Sequence, residues 1–149
     1  MPGPDDIPTG GLIPELAALL ALWRRRYRPG DMPAQSRFQP SDLERWSRHI
    51  VWIEAEDDGF RLRNFGMDLI RRFGRYAGDH AIDELATDVA AGLREVLWRT
   101  MANAAPVPAA ASVSLGRRSA VFAELALPLA GSGGRITLLL LASYEIGGP

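Results

Sequence analysis

Residues 61–78 read RLRNFGMDLIRRFGRYAG. Up to Gly66 the residues alternate, Phe60, Leu62 and Asn64 against Arg61, Arg63 and Phe65, which is the period of a strand. After Gly66, MDLIRRF reads as a short helix over 67–73 that stops at Gly74, and another glycine follows at Gly78. A helix of barely two turns buries little surface by itself. Short broken helices that leave a sheet in this way line something.

Working outward, HIVWIEA (49–55) and FRLRNF (60–65) predict two strands, joined by the turn EDDG (56–59) with its Asp-Gly hairpin signal. Beyond the glycines, DHAIDEL predicts a second short helix over 80–86. Thr87 then caps a long helix, 88–104, with Val89, Leu93, Val96, Leu97 and Met101 on one face, and Pro106 and Pro108 end it. Three further strands are expected at 111–115, 119–129 and 135–146, joined by the tight turns GRR and GSGG. The last of these is apolar on both faces, Ile136, Leu138 and Leu140 opposite Leu139 and Leu141, as suits a strand in mid-sheet with both faces covered.

On the N-terminal side, residues 1–11 hold three prolines and three glycines and are expected to be mobile. A helix over 12–28 follows, Pro14 in its first turn and Leu12, Leu16, Leu19, Leu20 and Trp23 on one stripe. Arg24, Arg25, Arg26 and Arg28 suit its C-terminus, where cations favour the dipole. An extended connector (29–40) leads to SDLERW, with Ser41 as cap and Glu44 at the capping-box position. One sheet face packs on the middle helices. The other needs a cover, and the first helix is the only apolar helix left to supply it. The expectation is one α+β domain over 12–146 with a tail at 147–149, and a five-stranded antiparallel sheet in order 2-1-5-4-3.

At 149 residues the chain fits a single core. Its net charge is −1, so no global field favours nucleic acid or an anionic membrane. All 17 basic residues are arginine, which excludes Schiff-base and phosphate-loop lysine chemistry. There is no cysteine, which removes disulfides, thiolate metal sites and cysteine nucleophiles. The apolar stretch LIPELAALLALW (12–23) is too short to span a membrane, contains Glu15, and carries its arginines on the wrong side for a signal peptide. A cytoplasmic location is the expectation.

The order of elements, with 61–78 in its middle, resembles a PAS domain, in particular the PAS-like family common in alphaproteobacteria as short, often stand-alone proteins. Three stretches carry the resemblance: LWRRRYRPGDMP (22–33), QPSDLERWSRHIVWIEAE (39–56) and FRLRNFGMDLIRRFGRYAG (60–78). It covers roughly residues 20–146. Met67 departs from the pattern where a small polar residue often follows the glycine, and Ala77 where Thr usually precedes Gly78; both alter the polar lining of a pocket. The resemblance implies that the short helices wall a small cavity on one sheet face. Gly66 would release the chain from the sheet, and Gly74 would supply the left-handed position that ends the helix.

PAS domains hold haem, flavin, small acids or nothing. The long helix 88–104 carries no histidine to ligate haem, and photoactive flavin chemistry needs the missing cysteine. His80, Asp83 and Glu84 make a metal site conceivable, and Glu54, Glu56, Asp57 and Asp58 form an acidic patch without EF-hand spacing. No G-x-S-x-G elbow is present, and GSGG is misplaced for a phosphate loop. No cofactor is therefore expected. The ligand-lining candidates are Asn64, Tyr76 and His80 as polar handles with Trp98, Phe122 and Tyr144 as aromatic walls, and a bulky residue at Ala123 is expected to fill the cavity. Leu16, Leu19, Leu20 and Trp23 are the candidate dimer or partner interface. Two functions fit: a sensory or regulatory module acting through an unidentified signalling protein, or a cone-shaped α+β isomerase or dehydratase. The acids lie mostly at turns and caps, which favours the non-enzymatic module.

Overall fold

The computed structural model of the chain describes residues 11–76 and 78–147. The expectations placed on residues 1–10, on Ala77 and on 148–149 fall outside the described residues. The elements run α1 (Pro14–Arg26), β1 (Ile50–Glu56), β2 (Gly59–Leu62), α2 (Ile70–Phe73), β3 (His80–Ala81), α3 (Thr87–Asn103), β4 (Val107–Leu115), β5 (Arg118–Ala130) and β6 (Ile136–Gly147), with one-turn 3₁₀ segments between. The strands form one antiparallel sheet in the order β3-β2-β1-β6-β5-β4.

The sheet thus has six strands, not five. The extra one comes from the segment expected as a helix over 80–86: Arg61 and Leu62 pair with Ala81 and His80, and only Ile82–Glu84 turns, as a 3₁₀ segment. Ile82 and Leu85, three apart, suggest a helix. Both are buried by that single turn, which leaves His80 and Ala81 free to satisfy the open edge of β2. β4 begins at Val107 rather than at 111, and Pro108 is accommodated because β4 is an edge strand. Thr87 is the first helical residue, not a cap. Two 3₁₀ turns, Pro40–Asp42 and Glu44–Trp46, stand where SDLERW was expected as one helix, and the capping box is Gln39 with Asp42, whose carboxylate accepts from the Gln39 amide at 2.9 Å, not Ser41 with Glu44.

β6 lies in mid-sheet between β1 and β5, as its two apolar faces require. Leu139 and Leu141 face an inner layer that includes Ile53, Leu62, Phe65, Leu69, Phe73, Leu93 and Leu97. Leu138, Leu140, Ala142 and Tyr144 face an outer layer with Leu125, Leu127 and Leu129 of β5. The cover of that outer layer is α1 of the same chain. Leu16, Leu19, Leu20 and Trp23 are each 0% exposed, so the stripe expected as a dimer or partner surface is consumed inside its own chain. Trp23 Nε1 donates to Pro128 O at 2.9 Å and fixes the helix over β5. Ala123 packs with this outer layer, so it does not reach the inner face where a cavity was expected.

The 61–78 stretch obeys two local constraints. Gly74 sits at φ 70° and ends α2 as a left-handed residue. Gly66 has an ordinary φ of −64°, but a Cβ there would lie 2.3 Å from the Arg48 carbonyl carbon and oxygen, so closeness to the chain entering β1 demands glycine.

Candidate functional site

β5 reads RSAVFAELALPLA, a strand with one acid amid apolar residues. Alternation puts Glu124 on the inner face with Ala126, opposite Ser143 of β6 in register. From α2, Arg71 and Arg72 project differently: Arg71 reaches Glu145 at the surface (2.9 Å), while Arg72 turns inward and is 2% exposed. Arg72 Nε donates to Glu124 Oε2 at 2.6 Å and its Nη2 to Oε1 at 3.1 Å, a two-pronged pair. Ser143 Oγ donates to the same Oε2 at 2.6 Å, and Glu124 is 1% exposed. No buried side-chain nitrogen or oxygen among the described residues lacks a partner. A charge pair desolvated this far is retained only with its hydrogen bonds made. Both carboxylate oxygens of Glu124 are engaged, which suits it to hold charge and geometry rather than to shuttle a proton.

The pair opens on a crevice of about 190 Å³ between α3 and the β4–β5 hairpin, walled by Asp88, Val89, Gly92 and Val96 on the helix and Ala110, Ala111 and Ser112 on the strand. Arg72 itself lines the crevice, with its Nε and Nη2 engaged by Glu124. The Asp88 carboxylate supplies acceptors at the same crevice.

The residues expected to line a pocket do not assemble there. Tyr76 is 81% exposed, and Trp98 is 53% exposed with its ring edge-on to Phe60 at 5.0 Å. His80 is held between Glu84 Oε2 (3.2 Å, Nδ1) and Tyr76 O (2.8 Å, Nε2). Phe122 is buried in a small cluster with Val113 and Ala120. Tyr144 is on the outer layer, stacked on His49 at 3.9 Å between ring centres. Asn64 lines a different cleft beside β1. The cause is the early end of β2 at Leu62, which breaks the alternation that would have carried Asn64 inward, together with the extended course of 80–81.

Several other charged groups are paired at the surface. Arg63 bonds Glu54 (2.6 Å) and Asp79 (2.8 Å), and its guanidinium holds the Glu54 carboxyl below the usual range. Asp83 pairs with Arg94, and among the described residues no group of three or more His, Asp or Glu is arranged to hold a metal ion. Asp68 accepts from Arg48 (3.1 Å) and lies 3.2 Å from His49 Nε2; the hydrogen bond from Arg48 keeps its carboxyl below the usual range. Beside them burial pushes the Tyr144 hydroxyl up to about 12. Among the described residues no helix is long and apolar enough to cross a membrane.

The fold has solved counterparts. A PAS domain of a protein from Colwellia psychrerythraea superposes with a TM-score of 0.51 at 9% identity, over 71% of this chain and 94% of that one. A structure described as "Flavin Analogue Sheds Light on Light-Oxygen-Voltage Domain Mechanism" superposes with a TM-score of 0.50 at 9% identity, over 72% of this chain and 83% of that one. The chain therefore has a PAS-like fold. No protein-family model matches it, and no curated protein matches its sequence. The inner residues do not fit a flavin: Phe65, Leu69, Phe73, Leu93 and Leu97 fill the space under the helices, and the crevice at Arg72 is smaller than the roughly 300–1,000 Å³ typical of such ligand sites.

Proposed function

We propose that this chain is a sensory or regulatory binding module that takes a small polar molecule in the crevice between α3 and the β4–β5 hairpin and transmits its presence to a protein partner. The observation that carries this reading is the buried Arg72–Glu124–Ser143 network, built from three separate elements and opening on that crevice. Its lining calls for a ligand of a few heavy atoms that is polar at the Arg72 end and carries a donor for Asp88. Binding would alter the buried charge pair that ties α2 to β5. Met67, Tyr76, Trp98 and Ile146 are large, apolar and more than half exposed, and they supply the anchors for a partner. A cytoplasmic setting is part of this reading. Native mass spectrometry of the purified protein, compared with the variant Ala111→Phe that fills the crevice, tests it. A bound small molecule in the wild-type protein that disappears in the variant is expected. Identical spectra for the two proteins would remove the crevice as the ligand seat.

A further inference from the structure

On the opposite face of the sheet, the connector between α1 and β1 does not pack flush. It leaves a cleft of about 410 Å³, walled by Phe38, Pro40 and Leu43 on the connector and by Ile50, Trp52 and Phe65 on the sheet side. This is within the roughly 300–1,000 Å³ range of drug-sized ligand sites and about twice the inner crevice.

The wall is fixed by polar contacts made away from the cleft. Arg26 Nε donates to Arg37 O (3.1 Å) and Arg37 Nη1 donates back to Arg26 O (2.9 Å). Arg37 also binds Asp31 at 2.6 Å, and Ala130 N donates to Pro33 O at 2.9 Å, which attaches the connector to the end of β5. Trp46 Nε1 reaches Glu15 O of α1 at 2.8 Å. The opposite wall is pinned at Gly66, where no side chain fits beside the Arg48 backbone. Both sides are therefore preorganised, and opening or closing the cleft would break these contacts.

The chemistry of the lining selects the occupant. Phe38, Trp52, Pro40, Leu43 and Ile50 make most of it, with Phe65 of the inner layer bordering it, and the polar side chains are Gln35, Ser47 and Asn64, all uncharged. Among the described residues no arginine, aspartate or glutamate lines the cleft, although the chain has 17 arginines. An ionised ligand would lose its hydration there without a counter-charge. We infer that this outer cleft is a second binding site, for an uncharged, largely aromatic small molecule carrying one or two hydrogen-bonding groups for Gln35, Ser47 or Asn64. It is separate from the proposed inner crevice and does not depend on it.

The probe for the test is N-phenyl-1-naphthylamine, a neutral aromatic fluorophore with one N–H donor. It is expected to bind the full chain saturably and one to one, with quenching of Trp52. Its sulfonated relative, 1-anilinonaphthalene-8-sulfonate, has the same rings plus a charge and should bind roughly tenfold weaker or worse. Ser47→Trp, at an exposed position, should fill the cleft and lower the affinity of the neutral probe by roughly tenfold or more with its melting temperature preserved. Asn64→Leu, also exposed, checks the same wall without added bulk and should weaken the probe by a smaller factor. Ala111→Phe, in the inner crevice, should leave this binding unchanged, which separates failure here from failure of the inner site. Absence of saturable binding, unaltered binding in Ser47→Trp, or equal or tighter binding of the sulfonate would overturn the assignment.

Discussion

Arg72 and Glu124 show how a single buried charge commits the residues around it. Placed on the inner face of β5, Glu124 has lost water, and its carboxylate is sustained by two bonds from Arg72 and one from Ser143. Removing one partner strands the other. Arg72→Met or Glu124→Leu alone should each cost about 3–5 kcal/mol of unfolding free energy, whereas the double variant should cost much less than the sum, because it restores an apolar match. Urea unfolding of the four proteins measures this, and strict additivity would mean that the two side chains are independent. Tyr144 makes a prediction at the alkaline end. Burial raises its hydroxyl to about 12 from an ordinary value near 10. Between those values the unfolded chain loses a proton that the folded chain keeps, so stability falls as pH rises from about 10 to about 12. Tyr144→Phe should flatten that part of the pH–stability curve, as followed by circular dichroism melts. A slope as steep in the variant as in the parent would contradict the assigned environment.

At the scale of elements, α1 and β6 are the pair on which the fold turns. The stripe Leu16, Leu19, Leu20 and Trp23 was readable as a helix face needing a cover, and so was the doubly apolar β6, because both are long, periodic signals. Leu20→Ala should therefore lower unfolding free energy by about 2–5 kcal/mol, the cost of a core cavity, without altering an oligomer. Light scattering read beside the melt separates the two effects; unchanged stability with altered mass would return the stripe to a partner interface. Short signals were less legible. The two residues of β3 are indistinguishable in sequence from the start of a helix whose apolar positions, Ile82 and Leu85, have helical spacing. The site was harder still. Polar residues near the glycines drew the expected pocket toward Asn64, Tyr76 and His80, but where each points depends on where β2 ends, which no local pattern specifies. The buried network did leave a trace: an acid inside AVFAELALPLA must find a partner if its strand is covered. Which of 17 arginines answers it is set by the course of the chain between β2 and α3, not by spacing.

For the whole molecule, the sheet contributes to both sites, through β1 at the outer cleft and β4 and β5 at the inner crevice, and β6 lies between β1 and β5. Consecutive residues of β6 face opposite layers: Ser143 bonds Glu124 inside, while Tyr144 stacks on His49 outside. The Ser143 amide also donates to His49 O at 2.9 Å, so the inner network and the His49–Asp68–Tyr144 cluster share one peptide and one inter-strand bond. A change at Glu124 has a short hydrogen-bonded path to that cluster, whereas the Trp23 indole is anchored further along β5, at Pro128. Coupling between two sites in a protein is typically about 1–3 kcal/mol, and the effect is reciprocal. Glu124→Gln keeps the shape of the side chain and removes its charge, so it serves as a stand-in for an occupied inner crevice. In NMR spectra it should shift the ring signals of His49 and Tyr144 while leaving the Trp23 indole N–H in place. If the His49 and Tyr144 signals stayed put, or if Trp23 moved as far as they did, transmission along β6 would be wrong. The two faces would then respond to their ligands independently, and a partner docked on the exposed Met67 and Tyr76 side would read only the crevice beneath α3.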